Sequence, residues 1–180
     1  FIRKLWERAR KETGPKALAE LAAQRKLLAG ESLAAWGVCR SPLTGDWLVP
    51  GFAPDGRLVQ LARWLQVPGG NARRLIPTPG LDPKEAGQTK RLGLHLAALP
   101  DKRCETLFIT EGCWDGMALW EMLRQVKWGE VGDALELTGN PDASLAATSC
   151  VVAAPGCGIF FESWARLGTG RRVIFLYDSD

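Results

Sequence analysis

Four carboxylates in two short stretches could do chemistry together. In 107-LFITEGCWDGMALWEML-123 an apolar run ends in Glu111-Gly112, and Asp115 follows four residues after the Glu. In 173-VIFLYDSD-180 a second apolar run ends in Asp178 and Asp180. Two residues apart at a strand end, that pair can share one direction. Asp115 falls about one turn into the helix after Gly112, so its carboxylate can point back toward Glu111. Four such groups brought together repel and raise one another's pKa values. A divalent cation that prefers oxygen relieves the repulsion, and with no soft ligand in the set it is Mg²⁺ or Mn²⁺.

A shared site requires both apolar runs to be neighbouring strands with their carboxyl ends together. Residues 106–110 read as a buried strand, residues 150–154 and 172–177 as two further strands, and residues 115–127 and 159–167 as helices between them. Strands alternating with helices imply an α/β unit, a parallel sheet covered on both faces. In such sheets, sites form at the C-terminal ends of strands, where both acidic pairs lie.

The preceding half reads differently. Residues 1–28 are two helical pieces broken at Thr13-Gly14-Pro15, and a short helix starts at Ser32 and ends near Gly37. Runs 47–52 and 58–65 flank the turn signal 53-APDG-56 and read as a β-hairpin. A loop over 67–74, a strand at 74–77 and an exposed loop over 78–90 follow. The texture changes at 101, dividing the chain into residues 1–100 and 101–180.

Composition bounds the function classes. The chain has 180 residues, enough for one domain or two small ones, and its 46% apolar content suffices for a core. A net charge of +3 does not demand nucleic acid, so any basic surface must be local. No apolar run approaches the length of a membrane span. The N-terminus lacks both a signal-peptide h-region and a Met, so the chain reads as a processed or excised piece.

The five cysteines, at 39, 104, 113, 150 and 157, form no C-x-x-C, and His95 is the sole histidine. This excludes a structural zinc site of the usual spacing and suggests reduced thiols in the cytoplasm. His95 reads as a surface or packing residue and Cys113 as a small core residue. The eight tryptophans read as core and interface packing, with base stacking as the alternative for one or two of them. Gly168-Thr169-Gly170 lacks the Lys and the following helix of a phosphate loop.

Taken together, 111-EGCWDGMAL-119, 151-VVAAPGCG-158 and 173-VIFLYDSD-180 resemble a TOPRIM domain. That metal-binding α/β module is shared by bacterial-type primases, type IA and II topoisomerases and some nucleases. Glu111 matches the family's Glu, Asp115 the following Asp, Asp178 and Asp180 the Asp-x-Asp pair, and Gly156 the glycine after the middle strand. The N-terminal half is similar to the smaller basic α+β subdomain that precedes TOPRIM in bacterial and phage primases. The similar segments are 20-ELAAQRKLLAGESLAAWGV-38, 48-LVPGFAPDGRLVQLARWL-65, 72-ARRLIPTPG-80 and 90-KRLGLHLAAL-99.

The resemblance implies a DNA primase core that makes short RNA primers on single-stranded DNA by metal-dependent nucleotidyl transfer. It implies Mg²⁺ or Mn²⁺, with a two-metal site as one form, held directly by Asp178 and Asp180. Glu111 is a metal ligand or the general base for the attacking hydroxyl, and Asp115 supports the site or binds a second metal. Arg57, Arg63, Arg73, Arg74, Lys90 and Arg91 are candidates to hold the triphosphate and the template. Arg63, Arg74 and Lys90 match the family's basic positions best. The partners implied are single-stranded DNA, nucleoside triphosphates and a replicative helicase, fused or separate, with no membrane.

The family continues past Asp-x-Asp with a Gly-containing helix and at least one more strand, so the sheet is expected to be incomplete at Asp180. Two rival readings stay open. One is a TOPRIM nuclease or topoisomerase-like enzyme, for which Tyr177, the sole tyrosine and inside a strand, is a poor nucleophile. The other is a non-catalytic nucleic-acid-binding replication module.

Overall fold

The computed structural model describes residues 2–26, 29–65, 74–77, 93–126, 144–156 and 162–177, with backbone only at 65 and 74–77. Helix α1 (Ile2–Glu12) turns Ile2, Leu5 and Trp6 toward Cys39, Leu48 and Leu61. Helix α2 (Pro15–Gln24) starts on Pro15, whose missing N–H costs nothing at a first turn, and buries Leu18, Leu21 and Ala22. Helix α3 (Gly30–Ala35) follows.

Strands β1 (Cys39–Arg40), β2 (Trp47–Phe52), β3 (Leu58–Leu65) and β4 (Arg74–Pro77) form an antiparallel sheet in the order β1-β2-β3-β4. The expected hairpin is β2–β3. Its turn closes through Gly56 N–H to the Ala53 carbonyl at 2.8 Å, and Gly56 takes φ +83°, which a side chain would strain. Two short strands were not apparent in the sequence, β1 and β5 (His95–Leu96).

The residue before β5 bridges to the first sheet, and β5 itself joins the second. Leu94 bridges Phe52 with reciprocal hydrogen bonds of 2.8 and 2.9 Å, and His95–Leu96 then pairs with β7. The two backbones nearly touch where they cross. A Cβ on Gly93 would lie 2.4 Å from the Gly51 carbonyl carbon, so only glycine fits. The buried His95 donates from Nδ1 to the Pro50 carbonyl at 2.7 Å. His95 is therefore a packing residue at the junction of the two sheets.

The second sheet contains β6 (Thr106–Thr110), β7 (Ser149–Ala153) and β8 (Arg172–Leu176) in the order β5-β7-β6-β8. Strand β6 is parallel to both β7 and β8, and β5 is antiparallel to β7. The sheet is thus mixed rather than wholly parallel, and the antiparallel strand comes from the segment before residue 101. Every residue of β6 is buried, as a continuous apolar run between two neighbours requires.

Helix α4 (Cys113–Gln125) covers one face through Met117 and Leu123. The short α5 (Glu162–Ala165) and the 3₁₀ turn Arg166–Gly168 cover the other through Trp164 and Leu167. The described part of the expected 159–167 helix is thus one short turn that tightens into 3₁₀. One core runs from α2, α3 and β3 into α4, β6 and β7. All seven described tryptophans are buried or half-buried, consistent with packing, and Trp128 lies outside the described residues. Among the described residues no helix is long and apolar enough to cross a membrane.

Candidate acid site at the carboxyl ends of β6 and β8

Strand β6 delivers Glu111. Its last residue, Thr110, is tied on one side, where its carbonyl accepts from Ala154 N–H at 2.9 Å beyond β7. Its hydroxyl donates to the Gly112 carbonyl at 3.1 Å, which fixes the exit from the strand. Glu111 is half-buried there.

Gly112 then caps α4 with φ −126° and ψ 154°, an ordinary extended conformation. Its value is therefore not conformational freedom but the missing side chain. A Cβ at 112 would sit 2.8 Å from Asp115 Oδ2, because the exposed Asp115 carboxylate folds back over Gly112. The Glu-Gly-x-x-Asp spacing thus places Asp115 beside the residue that follows Glu111, in the first helical turn where negative charge is favoured.

Helix α4 is held tightly to the sheet. A Cβ on Gly116 would meet Trp36 at 2.7 Å, Thr110 Oγ1 at 2.9 Å and Ala153 Cβ at 3.0 Å. Further along, the buried Glu121 accepts a hydrogen bond from the fully buried Ser32 of α3. These contacts seat the N-terminus of α4, and with it Asp115, against β6.

Strand β8 lies directly beside β6 and runs the same way, with Thr110 opposite Leu176. The carboxyl ends of the two strands therefore open on the same edge of the sheet. Tyr177 is the last described residue there. Asp178 and Asp180 lie outside the described residues, as do Lys90 and the side chain of Arg74. Among the described residues no group of three His, Cys, Asp or Glu side chains is arranged to hold a metal.

Glu111 and Asp115 offer oxygen alone, which suits a hard divalent cation. Cys113, between them in sequence, is no soft ligand. It is buried in the core, as expected, and burial pushes its thiol up to about 12 against the pull of Arg25.

The basic candidates are distributed otherwise. Arg63 pairs with Asp46 at 3.2 Å. The pleat puts it on the opposite face of β3 from Trp64, the face that meets the start of α4 through Trp114. Arg57 is exposed and pairs with Asp55 at 2.8 Å, and Arg73 and Arg91 lie outside the described residues.

Arg25, at the end of α2, places a cation beside the start of α4. Its guanidinium carbon lies 4.5 Å from the Trp114 ring centroid and 5.7 Å from that of Trp64, and the two rings meet edge to face at 5.7 Å. Sequence reasoning missed Arg25, because the stack joins three residues that are distant in the chain. The only signal was the pairing of an Arg after an apolar helix with two tryptophans in other elements. Compared with known proteins, the chain matches no family model and no curated protein sequence.

Proposed function

We propose that this chain is the catalytic core of a TOPRIM-type DNA primase. One observation carries the reading. Strands β6 and β8 are parallel neighbours, so the strand that ends in Glu111 and the strand that leads into Asp178 open on one edge. The folding of Asp115 over Gly112 supports it. In this reading residues 1–100 form the basic subdomain and residues 101–180 the TOPRIM domain. Glu111, Asp178 and Asp180 would hold Mg²⁺ or Mn²⁺, with Asp115 supporting them. The bound ion would neutralise the charge that develops on the transferred phosphoryl group.

The chain's own groups supply the rest. Glu111 lies at the strand exit, where a carboxylate can accept the proton of an attacking 3′-hydroxyl. Arg63, Arg74 and Lys90 are the proposed contacts for triphosphate and template, and Arg25 adds a fixed positive charge near the start of α4. Arg63 can take this role only by exchanging its partner Asp46 for phosphate. Single-stranded DNA, nucleoside triphosphates and a replicative helicase are the proposed partners, in the cytoplasm.

The test supplies single-stranded DNA, labelled nucleoside triphosphates and Mg²⁺ or Mn²⁺. Template-dependent short oligonucleotides, lost in Glu111→Gln, are expected. Metal-dependent cutting of the DNA instead of synthesis would overturn the primase reading in favour of a nuclease. DNA binding without either activity would favour a replication scaffold.

A further inference from the structure

The net charge of the whole chain sits on one helix. Helix α1 carries Arg3, Lys4, Arg8, Arg10 and Lys11 against Glu7 and Glu12, a net +3. The entire chain also has a net charge of +3, so all other residues together are neutral. Every one of these charged residues of α1 is exposed.

The helix is fixed with this side outward. Its apolar side, Ile2, Leu5, Trp6 and Ala9, packs on Cys39, Leu48 and Leu61. Trp6 Nε1 donates to the Gly37 carbonyl at 2.8 Å, and its ring meets Phe52 edge to face at 5.7 Å. The Arg10 guanidinium lies over the same ring at 4.8 Å. A guanidinium stacked face-on keeps its N–H groups in its own plane, available to an acceptor.

Helical periodicity sets Lys4, Arg8 and Lys11 in one row, with Arg3, Glu7 and Arg10 in the row beside it. The first row spans roughly 10 Å, about three phosphates of one nucleic-acid strand. Arg8 shares its charge with Glu12 at 2.7 Å. Arg3, Lys4 and Lys11 have no ion-pair partner among the described residues.

This surface lies apart from the acid site. Along β2 and β3, Leu48 and Leu61 face α1, whereas Val49, Ala62 and Trp64 face the core that holds α4. The first sheet thus stands between α1 and α4. A basic helix with an apolar face can also lie on a membrane, but here that face is already buried on the sheet. Trp6, the one aromatic of α1, is engaged by Phe52 and Arg10, so the surface meets charge rather than bases.

We infer that the outer face of α1 is a docking surface for the phosphodiester backbone of a nucleic acid, bound without regard to sequence and across the first sheet from α4. Lys4 and Lys11, with Arg3 and Arg10 beside them, replace the counterions of successive phosphates. The inference shares its partner with the primase reading, but its test needs neither metal nor synthesis.

The test follows binding of a fluorescein-labelled single-stranded oligonucleotide to the 180-residue chain by anisotropy in EDTA, over a series of NaCl concentrations. In the double variant Lys4→Gln with Lys11→Gln, the slope of log K against log salt should become shallower by about 1.4, and low-salt affinity should fall about tenfold or more. Lys4→Arg with Lys11→Arg keeps both charges and should bind as the wild type. Lys102→Gln with Arg166→Gln removes two exposed charges elsewhere and should keep the wild-type slope. A wild type that does not bind at low salt, an unchanged slope in the α1 variant, or an equal loss in the Lys102 and Arg166 variant would overturn the inference. So would oligonucleotide binding that survives in the α1 variant while binding to phosphatidylserine vesicles is lost, which would assign the helix to a membrane surface. Absent primer synthesis with this binding intact would count against the primase reading alone.

Discussion

At their carboxyl ends β6 and β8 lead into Glu111 and toward Asp178, whereas beside the amino ends of β6 and β7 lie Cys104 and Cys150. Five residues of strand at about 3.3 Å each separate the two ends by roughly 16 Å. The carboxyl end stays in contact with water, since Glu111 is half-buried and Asp115 exposed. The amino end is closed down by Arg171, which ties the loop at 101–104 to the turn at 167–169 through carbonyl oxygens. The two ends of one sheet thus differ in exposure and in what holds them. Hydrated carboxylates suit a hard cation, whereas the amino end is held by a guanidinium on backbone carbonyls.

The largest blow to both ends together is Gly116→Val. Its side chain has no room against Trp36, Thr110 and Ala153, so α4 must lift from the sheet. A loss of about 3 kcal/mol is expected from overpacking, read as a lower urea midpoint. Unchanged stability would show that α4 is not seated as described.

The junction between the sheets gives a smaller, pH-dependent effect. Burial lowers the His95 pKa from 6.5 to about 4, with the hydrogen bond to Pro50 opposing that shift. The unfolded chain therefore binds a proton that the folded chain refuses. Stability is retained above about pH 6.5 and falls as the pH drops toward 4. Between about pH 7.5 and pH 5 the expected loss is about 2 kcal/mol. His95→Gln should remove most of that slope, and an unchanged slope would exclude His95 as its source.

The smallest change separates the ends. Gly112→Ala is compatible with the extended backbone, but its methyl group displaces the Asp115 carboxylate. Affinity for Mn²⁺ should fall about tenfold, roughly 1.4 kcal/mol, while the urea midpoint stays unchanged. A urea midpoint lowered along with the affinity would break the separation.

Much of this organisation was legible in the sequence. The run 106–110 was apolar enough to declare a buried strand and 172–177 a further strand, which proves half-buried to exposed, and the D-G turn fixed the β2–β3 hairpin. Glu111 and Asp115 were legible because their spacing is local. Strands β1 and β5 were not, since two-residue strands exist only through their partners. For the same reason the antiparallel edge of the sheet was invisible. The Arg25–Trp64–Trp114 stack joins residues far apart in the chain, and no local periodicity encodes such contacts. Within the described part of the expected 159–167 helix, the chain tightens into 3₁₀ at Arg166–Gly168, because the apolar pattern there fits a 3₁₀ turn as well as a helix.

The central claim is that carboxylates at the ends of β6 and β8 share one divalent cation. It is tested most directly by titrating Mn²⁺ while following thermal unfolding of the wild type, Glu111→Gln and the double variant Asp178→Asn with Asp180→Asn. The wild type should gain about 2.7 kcal/mol at a hundredfold excess over Kd, and both variants should lose most of that gain. A Mn²⁺ response that is absent in the wild type, or that survives unchanged in both variants, would contradict a metal site shared between the two strands.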